Sequence, residues 1–198
     1  MDPVDDRKSK QSREDEVLVT LLEVPIGHHY LVLYSDLEAM RRVYSSYIKG
    51  QMESQPESII LLLPYYDTTD KVREILESKN IKARALERQG SLIIIDIMKV
   101  ISNQSFDVPD IERLRALIIK LENQYPNKTI FVIADMSAFY HLSKANELVE
   151  YEKSLHRDIK VEKWKELCLY NQRDFRLMFT DNEAKQLLEY HEDKIIQF

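Results

Sequence analysis

Tyrosines, acids and small polar residues recur in this 198-residue sequence where apolar runs stop. Tyr34-Ser35-Asp36 closes the run from Tyr30, and Tyr65-Tyr66-Asp67 follows the run Ser58 to Leu63. Asp135-Met136-Ser137 ends Thr129 to Ala134, and Tyr170-Asn171 ends the run that begins at Lys165. An Asp or Ser at such a place can cap the helix that follows. A phenol does something else: it brings apolar area and a hydrogen-bonding tip together. Four such ends gathered in one crevice would suit an amphipathic organic molecule better than a polyanion.

Several other chemistries are argued against. A phosphate-binding loop needs glycines, so that backbone N–H groups can wrap the anion, and a lysine to reach it. The turn after Tyr34 reads Ser35-Asp36-Leu37-Glu38-Ala39-Met40, with two acids and no glycine. The chain has three glycines, Gly27, Gly50 and Gly90, none leading from a core strand into a helix. A dinucleotide fingerprint fails for the same reason, and no cofactor is expected. An apolar strand ending in an acid, as at Asp135, has the form of a magnesium-holding residue. Without the loop that role has no partner, and helix capping is the better reading. No two of the five histidines have the i, i+4 spacing of a helical zinc site, and the single cysteine excludes a cysteine-rich one. Spacing along the chain therefore offers no metal site. Cys168 lies inside the apolar Leu167-Cys168-Leu169 and reads as a small buried hydrophobe rather than a nucleophile. No Gly-x-Ser-x-Gly elbow is present. The charge run Glu150 to Lys153 reads as a solvated face.

The elements that must position these residues follow from the apolar pattern. Tyr30–Tyr34, Ser58–Leu63, Ser91–Met98, Thr129–Ala134 and Lys165–Tyr170 are short runs with little polar alternation, as strands buried on both faces require. A weaker strand is predicted over Ile81 to Leu86, and a short edge strand at Ile195-Ile196. Between them lie stretches of helical spacing. One runs from Asp36 to about Lys49, with Gly50 as its C-cap; one is capped by Thr68 or Thr69; one opens at Pro109-Asp110; one runs from Asp135 past Tyr151; and one covers Asn182 to Tyr190. Asn171 to Phe175 is predicted as a turn, and Glu16 to Glu23 as a helix before the first strand. Strands alternating with helices give an α/β fold in three layers, a mostly parallel sheet flanked by helices. In such sheets ligands bind beyond the carboxyl ends of the strands. The domain is expected over residues 15–198, behind a disordered polar tail at 1–14.

Bulk properties narrow the function further. The net charge of -6, with basic residues interleaved among acids, argues against a nucleic-acid track. The longest apolar runs are too short to cross a bilayer. No signal-peptide pattern and a lone cysteine point to the cytoplasm.

The C-terminal third resembles the MEDS family, the methanogen and methylotroph sensory domains named partly for a regulator of dichloromethane use. The similarity is carried by Tyr151-Glu152-Lys153-Ser154-Leu155, then Leu167 to Phe175 (Leu-Cys-Leu-Tyr-Asn-Gln-Arg-Asp-Phe), then Leu187-Leu188-Glu189-Tyr190-His191 and Ile195-Ile196. His28 or His29 before a strand ending in Tyr34, and Ala134-Asp135-Met136, match weaker parts of the pattern. Two positions depart from it. Only Gly50, followed by Gln51-Met52-Glu53, stands where the family is glycine-rich, and Asn171 replaces the commoner Asp.

The resemblance implies a RecA-like or KaiC-like core without a P-loop and a role in sensing small organic molecules. The expectation is a stand-alone sensory domain that works through a signalling or transcription-regulating protein partner, without catalysis, and with self-association left open. The candidate ligand-binding residues are His29, Tyr34, Tyr65, Asp135, Cys168 and Tyr170, acting by shape and hydrogen bonding. Two other readings stand beside it: a degenerate RecA-like interaction scaffold with no ligand, and a nucleotide hydrolase with an unorthodox loop.

Overall fold

Aliphatic runs that leave no polar face can be satisfied only between two layers of helices, and the computed structural model places them there. It describes residues 15–102, 112–159, 163–191 and 195–197. The tail expected at 1–14 and the helix start at Pro109-Asp110 lie outside the described residues. Six strands form one sheet: β1 (His29–Tyr34), β2 (Ile59–Leu63), β3 (Leu92–Ile94), β4 (Ile130–Asp135), β5 (Trp164–Asn171) and β6 (Ile195–Gln197). Their order is β3-β2-β4-β5-β1-β6, and every pairing is parallel. Ile195-Ile196 does add the short edge strand, beside Leu31 and Val32.

Two apolar layers cover the sheet. On one face, Leu31, Leu33, Leu61, Val132 and Cys168 meet α5 (Ile97–Ile101), α6 (Arg113–Gln124), α7 (Ser137–His141), α8 (Ala145–Asp158), α9 (Gln172–Met178) and α10 (Asp181–Tyr190). On the other, Val32, Tyr34, Ile60, Leu62, Phe131 and Leu169 meet α1 (residues 15–22), α2 (Leu37–Ser54), α3 (Thr69–Ser78) and α4 (Ala83–Gln89). The chain leaves β1 and β2 toward the second face but leaves β4 and β5 toward the first. At the carboxyl ends of these strands the connections diverge, which is where a doubly wound sheet opens a crevice.

Local chemistry explains the element ends. The Asp36 carboxylate accepts from the Ala39 amide at 2.8 Å and starts α2, and Thr68 accepts from Lys71 to start α3. Gly50 does not end α2, which runs on to Ser54. Its missing side chain serves contact instead, because a Cβ there would lie 2.9 Å from the Leu22 side chain of α1. Residues 81–86 do not form a strand. Ala83 and Leu86 have helical spacing, and Gly90 closes α4 in the left-handed conformation at φ 72. The strand expected over Ser91–Met98 is cut to three residues because Asp96 caps α5, accepting from the Met98 amide at 2.9 Å. The helix expected to run unbroken past Tyr151 is two, α7 and α8, separated at Ser143 with φ 55. The predicted turn after Asn171 is α9, whose first amides, of Arg173 and Asp174, donate to the Asn171 side chain.

Lys165 ties α1 to the sheet. Its Nζ donates to the Val24 carbonyl at 2.8 Å and lies 4.6 Å from the centre of the Phe131 ring. Among the described residues no helix is long and apolar enough to cross a membrane.

Candidate functional site

The six residues nominated from sequence separate into two groups, one at the ends of the strands and one buried within the sheet's first apolar layer. Side chains alternate along a strand, so His29 and Tyr34, five residues apart in β1, must point apart. Tyr34, Tyr65 and Asp135 meet at the strand-end crevice. His29, Cys168 and Tyr170 meet under α8 and α10.

At the crevice Asp135 sits at the tip of β4 with 2% of its surface exposed. The Tyr34 hydroxyl reaches it from β1 across β5, at 3.3 Å from each carboxylate oxygen. The Ser137 amide donates to Oδ1 at 3.2 Å, but the cap position of α7 is Met136, so Asp135 does not cap that helix as expected and turns its carboxyl to Tyr34 as well. Ser137 Oγ in turn accepts from the Asn171 amide. Burial dominates the acidity of Asp135 and outweighs these hydrogen bonds, raising its pKa to about 7. The carboxyl therefore carries its proton through mildly acidic conditions, and a buried group in that state can donate as well as accept.

Around this acid the crevice is aromatic and apolar. Tyr44 of α2, Leu62 of β2, Tyr65 and Tyr66 beyond it, and Leu169 of β5 line a depression with Asp135, open at its mouth and with closed room for about one water molecule. Tyr65 packs on the His141 ring at 4.9 Å between centroids and edge-on to Tyr66 at 5.1 Å. The Tyr66 hydroxyl donates to Asp174 of α9. One wall is clamped by Arg41 of α2, whose guanidinium donates to both oxygens of the buried Asp67 at 2.8 and 2.5 Å. Asp174, together with Asp135 once it ionises, disfavours a polyanion at the crevice, while the Asp67 charge is met by Arg41.

The second group is sealed from solvent. Glu152 of α8 is wholly buried and sits at its centre. Its Oε1 accepts from the Tyr170 hydroxyl at 2.5 Å. Its Oε2 faces three groups, His29 Nδ1 at 3.3 Å, His191 Nε2 at 3.5 Å and Cys168 Sγ at 3.7 Å. Burial alone would raise the Glu152 pKa; the imidazoles of His191 and His29 and the Tyr170 hydroxyl overcome it and hold the carboxyl below its ordinary value. Burial pushes His191 down to about 4 and Cys168 well above an ordinary thiol. A second buried acid, Glu166 of β5, accepts from Tyr151 at 3.1 Å, and burial raises it well above the carboxylate range.

Glu152, His191, Ser137, Tyr66 and Asp174 were not among the residues nominated from sequence. For two of them a signal was present. Glu152 shares the helical stripe of Leu148 and Leu155, so the run Glu150 to Lys153 is not entirely a solvated face: Glu150 is exposed and Glu152 points inward. His191 lies one turn beyond the buried Leu187.

Three comparisons bear on this arrangement. The model of the family described as MEDS, "MEthanogen/methylotroph, DcmR Sensory domain", matches residues 28–192. The structure is similar to that of a KaiC-like protein from the hyperthermophilic archaeon Pyrococcus horikoshii OT3, with a TM-score of 0.59 and 11% identity, covering 82% of this chain and 68% of that one. At that identity the likeness is one of fold. No curated protein matches the sequence.

Proposed function

The chain belongs to the MEDS family of sensory domains, and we propose that its strand-end crevice binds a small, uncharged organic molecule and reports it to a protein partner, without catalysis. The observation that carries this reading is the lining of the crevice: tyrosines and aliphatic side chains around one buried acid, Asp135, whose pKa stands at about 7. Ligand sites are mostly apolar with a few placed polar groups, and this one has that make-up at the point where an open α/β sheet accommodates ligands. The depression is narrow as it stands, its closed part holding about one water molecule, so a ligand enters by parting the half-buried Tyr65 and Tyr66 side chains at its mouth. A molecule of a few heavy atoms with one polar group demands far less opening of this crevice than a nucleotide does.

Nucleotide chemistry is the weaker alternative. The turn that follows β1 presents the Asp36 cap and Glu38, and Asp135 is engaged by a tyrosine hydroxyl. Thermal-shift measurements with short alcohols, amides and halogenated hydrocarbons, beside ATP with magnesium, test the reading. Ligand present at 100 times its Kd should stabilise by about 2.7 kcal/mol. Stabilisation by a small neutral molecule that is lost in Tyr66→Phe or Leu169→Trp supports it. Stabilisation by ATP with magnesium alone overturns it.

A further inference from the structure

The buried group beneath α8 and α10 has the make-up of a metal centre. His29, Glu152, Cys168 and His191 each offer one ligand atom, and these atoms all lie within 4.8 Å of one another. In a tetrahedral zinc site with bonds of about 2.0–2.3 Å, neighbouring ligand atoms stand about 3.3–3.6 Å apart. The three distances from Glu152 Oε2, of 3.3, 3.5 and 3.7 Å, already match those edges to about 0.2 Å. Only the edges among the two imidazoles and the thiol need to close.

The hydrogen bonds around the ligands point the same way. A carbonyl can only accept, so the Leu187 carbonyl at 2.6 Å fixes the hydrogen of His191 on Nδ1. Nε2 is then left with its lone pair, aimed at a carboxylate oxygen. Neither ring nitrogen of His29 nor Nε2 of His191 makes a hydrogen bond among the described residues, although all three atoms are buried. Such groups are costly without a partner. A cation among them takes the lone pairs of His29 Nδ1 and His191 Nε2 together, leaving His29 Nε2 to carry that ring's hydrogen. The outer contacts are those that metal ligands ordinarily have: a backbone carbonyl orients one histidine, and the Tyr170 hydroxyl orients the carboxylate through its other oxygen.

We propose that His29, Glu152, Cys168 and His191 form a closed, structural site for one zinc ion. The mixed nitrogen, sulfur and oxygen set suits zinc better than magnesium or calcium, which prefer oxygen alone. A carboxylate and a thiolate beside two neutral imidazoles cancel the two charges of the ion, as a site without solvent requires. The ligands come from β1, α8, β5 and the end of α10, so the ion ties the C-terminal helix to the middle of the sheet. Because the four come from four separate elements, spacing along the chain carries no trace of the site. Zinc enters as the chain folds, the thiol giving up its proton to solvent as the Zn–S bond forms.

The test uses the full chain, produced with zinc in the medium and purified without chelator. Elemental analysis should find about one zinc per chain. Unfolded protein refolded with cobalt(II) should show a thiolate-to-cobalt absorption band and the d–d spectrum of a tetrahedral ion. Cys168→Ser should lose the thiolate band, and Tyr170→Phe, which removes only an outer hydrogen bond, should weaken zinc binding about 10–100-fold. Wild-type protein that is free of zinc as purified and takes up neither zinc nor cobalt on refolding overturns the proposal. So does a metal content unchanged in both Cys168→Ser and His191→Gln. If neither variant folds, the wild-type cobalt spectrum decides: the thiolate band supports the site, and its absence overturns it.

Discussion

Replacing Asp135 by Asn should uncouple the stability of this protein from pH in a defined window. The wild-type carboxyl has a pKa of about 7 in the fold, against 3.8 for an unperturbed aspartate. Between those values the folded state holds a proton that the unfolded state has lost, so stability falls as pH rises from about 4 to about 7. At about 1.36 kcal/mol for each pH unit of that gap, the penalty above pH 7 approaches about 4 kcal/mol. Asn keeps the shape and an oxygen to accept from Tyr34 and from the Ser137 amide, and it cannot ionise. Urea unfolding of both proteins at pH 5 and pH 8 measures the difference. Asp135→Asn should gain on the wild type by about 2–3 kcal/mol between the two conditions. With a urea m-value of about 2–3 kcal/mol/M, that is about 1 M in relative midpoint. Every other titrating group cancels in the comparison. Parallel pH profiles for the two proteins would refute the claim that burial governs this carboxyl.

Three further outcomes follow from the packing. Arg41→Ala leaves the buried Asp67 without its two charged hydrogen bonds and should cost about 2–4 kcal/mol, whereas Arg41→Ala in an Asp67→Asn background should cost clearly less; a double-mutant cycle by urea unfolding measures the coupling. Gly50→Ala should gain up to about 1 kcal/mol of helix propensity when Leu22 is also Ala, and less than that when Leu22 is intact, because the new Cβ meets that side chain. Equal effects in the two backgrounds would show that α1 does not pack there. Lys165→Ala removes the tie to Val24, and limited proteolysis should then release α1 faster than in wild type while the sheet core resists.

Much of the fold is legible in the sequence because a doubly covered parallel strand leaves a plain record. Ile59–Leu63 and Ile130–Ala134 have no polar residue to assign to solvent, and breaks after the strands carry their own caps, Asp36 after β1 and Thr68 after β2 among them. The misreadings are of residues with two uses. Gly50 looks like a helix stop, yet its place is set by Leu22, a partner 28 positions earlier whose contact no local pattern records. Residues 81–86 alternate like a strand over a few positions, and the helix is favoured only by the spacing of Ala83 and Leu86 and by the Gly90 cap. The candidate site is legible as a set of residue types but not as a location. Which strands are neighbours decides that Tyr34 meets Asp135, and sheet order is not written in any one segment. Alternation within β1 does separate His29 from Tyr34, and it assigns them to different groups before any neighbour is known. Glu152 is hidden by its charged neighbours Glu150 and Lys153, although its register with Leu148 and Leu155 places it on the buried stripe.

The central claim is that the strand-end crevice accommodates a small neutral molecule in place of a nucleotide. Backbone NMR of the labelled protein, titrated with a set of small neutral organic compounds and separately with ATP and magnesium, tests it most directly. The account predicts that at least one neutral compound shifts the amide signals of Leu62, Tyr65, Tyr66 and Leu169 together, saturably, while ATP with magnesium leaves them in place. Saturable shifts at these residues with ATP and magnesium, and none with any neutral compound, would contradict it.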